Sequence, residues 1–222
     1  MTDTDKRAVL YRIMRAVIKP LFVAVFRPRI VGAEHIPKEG AAVLAGNHMH
    51  ALDPILIDIC THRTVRTLAK KDLRDGAFGW FFRSLGTIPV DLRAKKNPEA
   101  LAAAEEALSE GELVNVSPEA KRNYTDELLL PFKYGAAAMS EKTGAALVPY
   151  AITGSYKLFG DRLTVVFGKA FHGPEGDLYR TNKQLYENIG SLLIKTMPAA
   201  VLKTKHIKEF DRWEREQNEQ TS

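Results

Sequence analysis

Six short apolar runs, AAVLAG, VRTLA, TIPVD, ELVNVS, ALVPYAIT and LTVVFG, recur along the chain. Between them DPILIDIC, GAFGWFFRSLG, NPEALAAAEEALSEG and FKYGAAAMSEKTG read as helices. A strand that is apolar along its whole length has no side to give to water, so it must be covered on both faces. The alternation therefore predicts an α/β fold with an open, mostly parallel sheet covered by helices on both faces. TNKQLYENIGSLLIKTM and VLKTKHIKEFDRWEREQNEQ read as C-terminal helices, the second strongly charged. At 222 residues, with 45% hydrophobic and 27% charged residues, the chain can bury one substantial core and is not globally disordered.

Residues 6–26 set Arg12, Arg15 and Lys19 on one side of a helix and Leu10, Ile13, Met14, Val17 and Ile18 on the rest. Two readings of this basic amphipathic helix stand side by side: it lies in a lipid headgroup layer, or it packs on its own domain. Around it the longest uncharged run is Pro20–Phe26, far short of the ~20 apolar residues that cross a bilayer or of a secretory core. The expected division is residues 1–30 as an amphipathic membrane-surface helix and 31–222 as the main domain.

The net charge of +5 and pI near 9.2 favour an anionic partner: a phosphorylated substrate, a membrane surface or nucleic acid. Nucleic acid is not expected, because no basic motif with interleaved aromatics is present. Cys60 is the only cysteine, which excludes an internal disulfide and any cysteine-rich metal centre. Its setting in ILIDIC fits packing, and a lone thiol fits a reducing compartment.

Three His-Asp pairs share a five-residue separation. His206 and Asp211 fall in a predicted helix, where five steps of about 100° splay the side chains apart. His172 and Asp177 flank GPEG, a turn. His48 and Asp53 differ, because AAVLAG ends directly before them and DPILIDIC begins at Asp53 itself, so core elements hold both ends. Asp53 before Pro54 is also an N-cap signature, and the two roles compete for one carboxylate. A metal site from His48, His50, Asp53 and Asp58 is not expected, since residues two apart leaving a strand face opposite ways.

With a strand before it and the Asp-Pro helix after it, NHMHALDP resembles the first signature of the glycerolipid acyltransferase family, Asn-His, four residues, Asp. LAKKDLRDGAFGWFFRSLGTIPVDLR, SPEAKRN and ALVPYAITG resemble that family's second, third and fourth blocks, in the right order between about Gly32 and Phe171. Two departures stand out. Leu92 separates Asp91 from Arg93, where the family has Arg directly after Asp. In the third block Ser117, Ala120 and Lys121 replace Phe, Gly and Thr, and loss of the Gly predicts loss of a φ > 0 backbone or of a close approach there.

The resemblance implies transfer of a fatty acyl group from a thioester, on coenzyme A or acyl carrier protein, to the sn-2 hydroxyl of lysophosphatidic acid. It implies His48 as base with Asp53 behind it, and Lys70, Arg93, Glu119 and Arg122 as substrate-binding residues, with no bound cofactor or metal. Phe78, Trp80, Phe81 and Phe82 could help line an acyl groove. Such an enzyme is expected at the cytoplasmic face of the cell membrane, peripheral, on an anionic surface. The alternative is a lipid-binding protein of the same fold with lost or altered activity, motivated by Ala120 and Lys121.

Overall fold

The computed structural model describes residues 3–72, 79, 86–91 and 97–212. The expected helix GAFGWFFRSLG and the segment holding Arg93 therefore lie largely outside the described residues. Helix α1 spans Asp3–Phe26 and strand β1 Arg29–Val31. There follow β2 (Ala42–Gly46), α2 (Asp53–Ile59), β3 (Val65–Lys70), β4 (Ile88–Val90), α3 (Pro98–Ser109) and β5 (Leu113–Val116). The chain continues through α4 (Gly135–Thr143), β6 (Ala146–Thr153), β7 (Thr164–Phe167), α5 (Leu178–Thr196) and α6 (Ala199–Leu202).

Seven strands form one sheet in the order β1-β7-β6-β2-β5-β3-β4. Every pair is parallel except β6 with β7. The all-apolar β2 and β6 are central and buried on both faces, which is the physical reason for their composition. Their side chains alternate between two cores. Val43, Ala45, Leu147 and Ala151 pack with Ala104 of α3, Met139 of α4 and Ile189 of α5. Leu44, Val148, Tyr150 and Ile152 pack with Phe22 of α1 and Leu56 and Ile57 of α2 on the other face. Each fully buried aliphatic side chain contributes ~1.5–3 kcal/mol, so this double layer fixes the register. After β2 the chain crosses to β3 by α2; after β5 it returns by α4 to β6, on the other flank of β2. Open α/β sheets bind ligands at such a reversal, beyond the carboxyl ends of the strands.

Three expectations change. The N-terminal helix turns Arg15 inward: its Nη2 donates to Asp58 O at 2.7 Å and its Nη1 to Arg63 O at 3.1 Å, while Tyr11 hydrogen-bonds the Asp58 carboxylate. Asp58 on α2 draws that cation off the expected basic stripe and leaves Ile13, Val17 and Leu21 exposed. The charged C-terminal segment is not one helix. It breaks after Leu202, and His206 forms a parallel bridge with Glu127, its N–H reaching Asp126 O at 2.7 Å. Finally, β1 is a strand that the apolar pattern does not announce, because its three residues are exposed.

Candidate active site

Strand β2 ends where Gly46 passes the ring of Tyr150. A Cβ at Gly46 would lie 2.2 Å from that ring, so only glycine allows the approach. The next residue, Asn47, turns its amide onto β6: Nδ2 donates to Ile152 O at 3.0 Å and Oδ1 accepts from Ile152 N at 2.8 Å. That side chain takes the part of one more paired strand residue and fixes where the main chain departs. His48 follows at the carboxyl end of the sheet. Its backbone N–H donates to Glu119 Oε1 at 3.0 Å, and Glu119 Oε2 accepts from Leu130 N at 2.9 Å. Glu119, just beyond β5, thus ties two neighbouring strand ends together.

The side chains of His48 and Asp53 meet: Nδ1 lies 2.8 Å from Asp53 Oδ2. The same oxygen accepts the N–H groups of Met49 at 2.7 Å and His50 at 2.9 Å. Oδ1 accepts the hydroxyl of Tyr156 at 2.6 Å. The expected N-cap role is corrected here, since Leu52 occupies that position and Asp53 is the first helical residue. Its carboxylate reaches back to the 48–50 loop because the turn closed by Asp53 N and His50 O, at 3.1 Å, folds that loop over it.

A carboxylate only accepts, so the neutral imidazole carries its proton on Nδ1 and presents the Nε2 lone pair. The His48 side chain is 27% exposed while that of Asp53 is 5% exposed, so the ring is open to solvent and the acid is shielded. His48 borders a cavity of about 180 Å³. Asn47, Glu119, Asn123, Asp161 and Lys205 supply its polar wall; Leu128, Ile152, Leu193, Met197 and Val201 supply the apolar one. Burial pushes the Glu119 carboxyl up to about 7, against the lowering effect of its two backbone donors. Burial, then the charge of Asp53, raises Tyr156 well above the ordinary phenol range, so it stays a donor.

The cations distribute unevenly. Lys70, at the end of β3, pairs with Asp72 Oδ2 at 2.5 Å and does not line the cavity. Arg122 donates to Tyr124 Oη at 3.2 Å and directly precedes the cavity residue Asn123. Arg93, like Phe78, Trp80, Phe81 and Phe82, lies outside the described residues. Lys205 borders the cavity, its Nζ donating to Thr125 O at 2.8 Å; the sequence hid it inside a presumed charged helix. Asn47 and Tyr156 also escaped notice, although the Asn of the Asn-His pair was a signal available for the first.

Ala120 holds φ +56, so replacing the family's glycine has not removed the left-handed turn. Cys60 donates its Sγ–H to Leu56 O at 3.0 Å, and burial lifts its thiol to about 12, which leaves it a poor nucleophile. Asp177, expected in a loop, caps α5 by accepting Arg180 N at 2.9 Å. Asp211 pairs with Lys183 at 2.7 Å. His50 accepts Leu52 N on Nδ1 at 3.3 Å and stacks on Tyr156.

Residues 27–153, more than half the chain, match the family described as Acyltransferase. The chain belongs to that acyltransferase family. A 1-acyl-sn-glycerol-3-phosphate acyltransferase of Borreliella burgdorferi is 27% identical to it over 186 residues, covering 81% of this acyltransferase and 74% of its relative. One from Bacillus subtilis is 27% identical over 150 residues, covering 65% and 73% respectively. The crystal structure of the 1-acyl-sn-glycerophosphate (LPA) acyltransferase PlsC from Thermotoga maritima shares the fold at a TM-score of 0.69 and 25% identity. That similarity covers 88% of the acyltransferase described here and 83% of PlsC. The matched segment contains both His48 and Asp53.

Proposed function

We propose that this acyltransferase moves a fatty acyl group from a thioester of coenzyme A or acyl carrier protein to the sn-2 hydroxyl of lysophosphatidic acid, making phosphatidic acid for phospholipid synthesis. The observation that carries the reading is the 2.8 Å contact of His48 Nδ1 with a buried Asp53 at the mouth of a half-apolar cavity. A neutral alcohol is a weak nucleophile, and a positioned base is worth ~10²–10⁴ in rate. Nε2 of His48 takes the sn-2 hydroxyl proton as that oxygen attacks the thioester carbonyl carbon. The C–O bond forms, the C–S bond breaks, and the imidazolium returns its proton to the departing thiolate. Asp53 holds the tautomer and stabilises the imidazolium. No acyl-enzyme is required, because the hydroxyl attacks the thioester directly, and the only thiol is engaged by Leu56 O at 3.0 Å.

Glu119 fixes the His48 backbone, so its substrate role is indirect as well as polar. The phosphate of the acceptor is assigned to Arg122 and Lys205 first, because one adjoins the cavity in sequence and the other borders it. Arg93 completes the set, and Lys70 joins it if it releases Asp72. Leu193, Met197 and Val201 offer the acyl chain an apolar wall.

Among the described residues no helix is long and apolar enough to cross a membrane. Residues 1–30 are proposed as the surface-binding element and 31–222 as the catalytic domain. Ile13, Val17 and Leu21 on α1, with Leu158 and the 97% exposed Phe159 after β6, supply the apolar contacts. Peripheral attachment to an anionic leaflet, on the cytoplasmic face, is part of the proposal, and these side chains and the net charge of +5 support it.

The test is turnover by the purified full chain on vesicles containing lysophosphatidic acid, with acyl-coenzyme A and acyl carrier protein thioesters tried separately. Formation of phosphatidic acid with either donor supports the proposal; lipid binding without turnover on both contradicts it.

A further inference from the structure

Beyond the dyad, Tyr156 reaches the Asp53 carboxylate from a distant part of the chain. We infer that Tyr156 is a positioning residue for acyl transfer: it holds the Asp53 carboxylate by the oxygen that His48 does not use, and it ties that carboxylate to helix α1. The inference rests on the reading of His48 as the base.

The hydroxyl of Tyr156 donates to Asp53 Oδ1 at 2.6 Å across 103 residues of sequence. Oδ2 already accepts His48 Nδ1 and two loop N–H groups, so without Tyr156 the carboxylate could pivot about that one oxygen. Rotation about the Cβ–Cγ bond would take the accepting lone pair out of the imidazole plane and let the ring drift from its attack position. The phenol blocks that rotation.

Its ring is clamped in turn. It stacks on His50 at 4.6 Å with 22° between the planes, and meets Phe26 edge-on at 5.6 Å and Phe22 at 6.3 Å. Both phenylalanines belong to α1 and touch each other at 4.8 Å. The order of contact is therefore α1, Tyr156, Asp53, His48. Packing of the proposed membrane-surface helix sets the position of a hydroxyl that sets the acid behind the base.

The experiment compares Tyr156→Phe, Phe26→Ala, the double variant and His48→Ala in the full chain on lysophosphatidic acid vesicles, with kcat and KM measured separately. Tyr156→Phe keeps the ring contacts, so thermal unfolding should stay near wild type. Its kcat should fall ~10-fold, the order of one hydrogen bond to a charged group, with KM within about twofold. The His48 Nδ1–H proton signal should move in the same variant, which a merely structural residue would not cause. Phe26→Ala should lower kcat in the wild-type background and add little in the Tyr156→Phe background, because it acts through the hydroxyl. A Tyr156→Phe enzyme with wild-type kcat and an unmoved His48 signal overturns the inference if His48→Ala is inactive. Full turnover by His48→Ala instead removes the base reading on which it rests.

Discussion

Glu119 Oε1 accepts the backbone N–H of His48 at 3.0 Å, so the turn after β5 holds His48 where the chain leaves β2. The carboxyl doing this is buried and lifted from 4.5 to about 7. Between those two pH values the folded chain binds the proton that the unfolded chain has released, so stability falls as pH rises. The loss is complete above about 7 and absent below the unfolded value. It amounts to about 3 kcal/mol. Glu119→Gln has no such titration. The wild-type stability minus that of Glu119→Gln, from urea unfolding at each pH, should fall by about that amount between pH 4.5 and pH 8. A difference that stays flat across the range would refute the buried, raised carboxyl.

Ala120 sits at φ +56, where an L side chain costs ~1–2 kcal/mol. Ala120→Gly should relieve part of this, offset by the chain entropy of glycine, for a gain of roughly 0.5–1 kcal/mol in chemical denaturation. Turnover should be kept or improved. Destabilisation of that size would mean the turn is not strained.

At Gly46 the sign reverses. Gly46→Ala brings a Cβ within 2.2 Å of the Tyr150 ring and 2.5 Å of Tyr150 O, and that ring is buried with its hydroxyl on Asn115 at 3.0 Å. Neither backbone nor ring can yield cheaply. A loss of about 3 kcal/mol in stability is expected, together with most of the activity. Unchanged stability would show that the strand end has more room than its contacts allow.

The sheet was largely legible because buried parallel strands must be continuously apolar, as AAVLAG and ALVPYAIT are. The dyad was legible because the apolar run ending at Gly46 closes one core element and Asp53 opens another. Tyr156 was not, since nothing local marks a tyrosine that bonds an acid 103 positions away. Arg15 misled by spacing alone: helical periodicity groups charges but does not say that Asp58 waits beneath them. At His206 the charge pattern of a helix lost to a backbone bridge with Glu127. Lys205, three residues past the end of α6, came to the cavity for the same reason.

Phe159 is 97% exposed and Leu21 is exposed on α1, and both belong to the proposed lipid-facing surface. Phe159→Glu and Leu21→Glu should each weaken partitioning onto anionic vesicles by about tenfold or more, since each withdraws an apolar side chain worth ~1.5–3 kcal/mol when buried. Sedimentation with phosphatidylglycerol vesicles measures this. Equal partitioning of both variants and wild type would contradict the assigned membrane face.

The most direct measurement is kcat of His48→Ala beside wild type, on lysophosphatidic acid vesicles with the better acyl thioester, with folding checked by circular dichroism. Loss of a base predicts a fall of ~10²–10⁴ with the fold intact. A folded His48→Ala chain that turns over at the wild-type rate would contradict the assignment of His48 as the base.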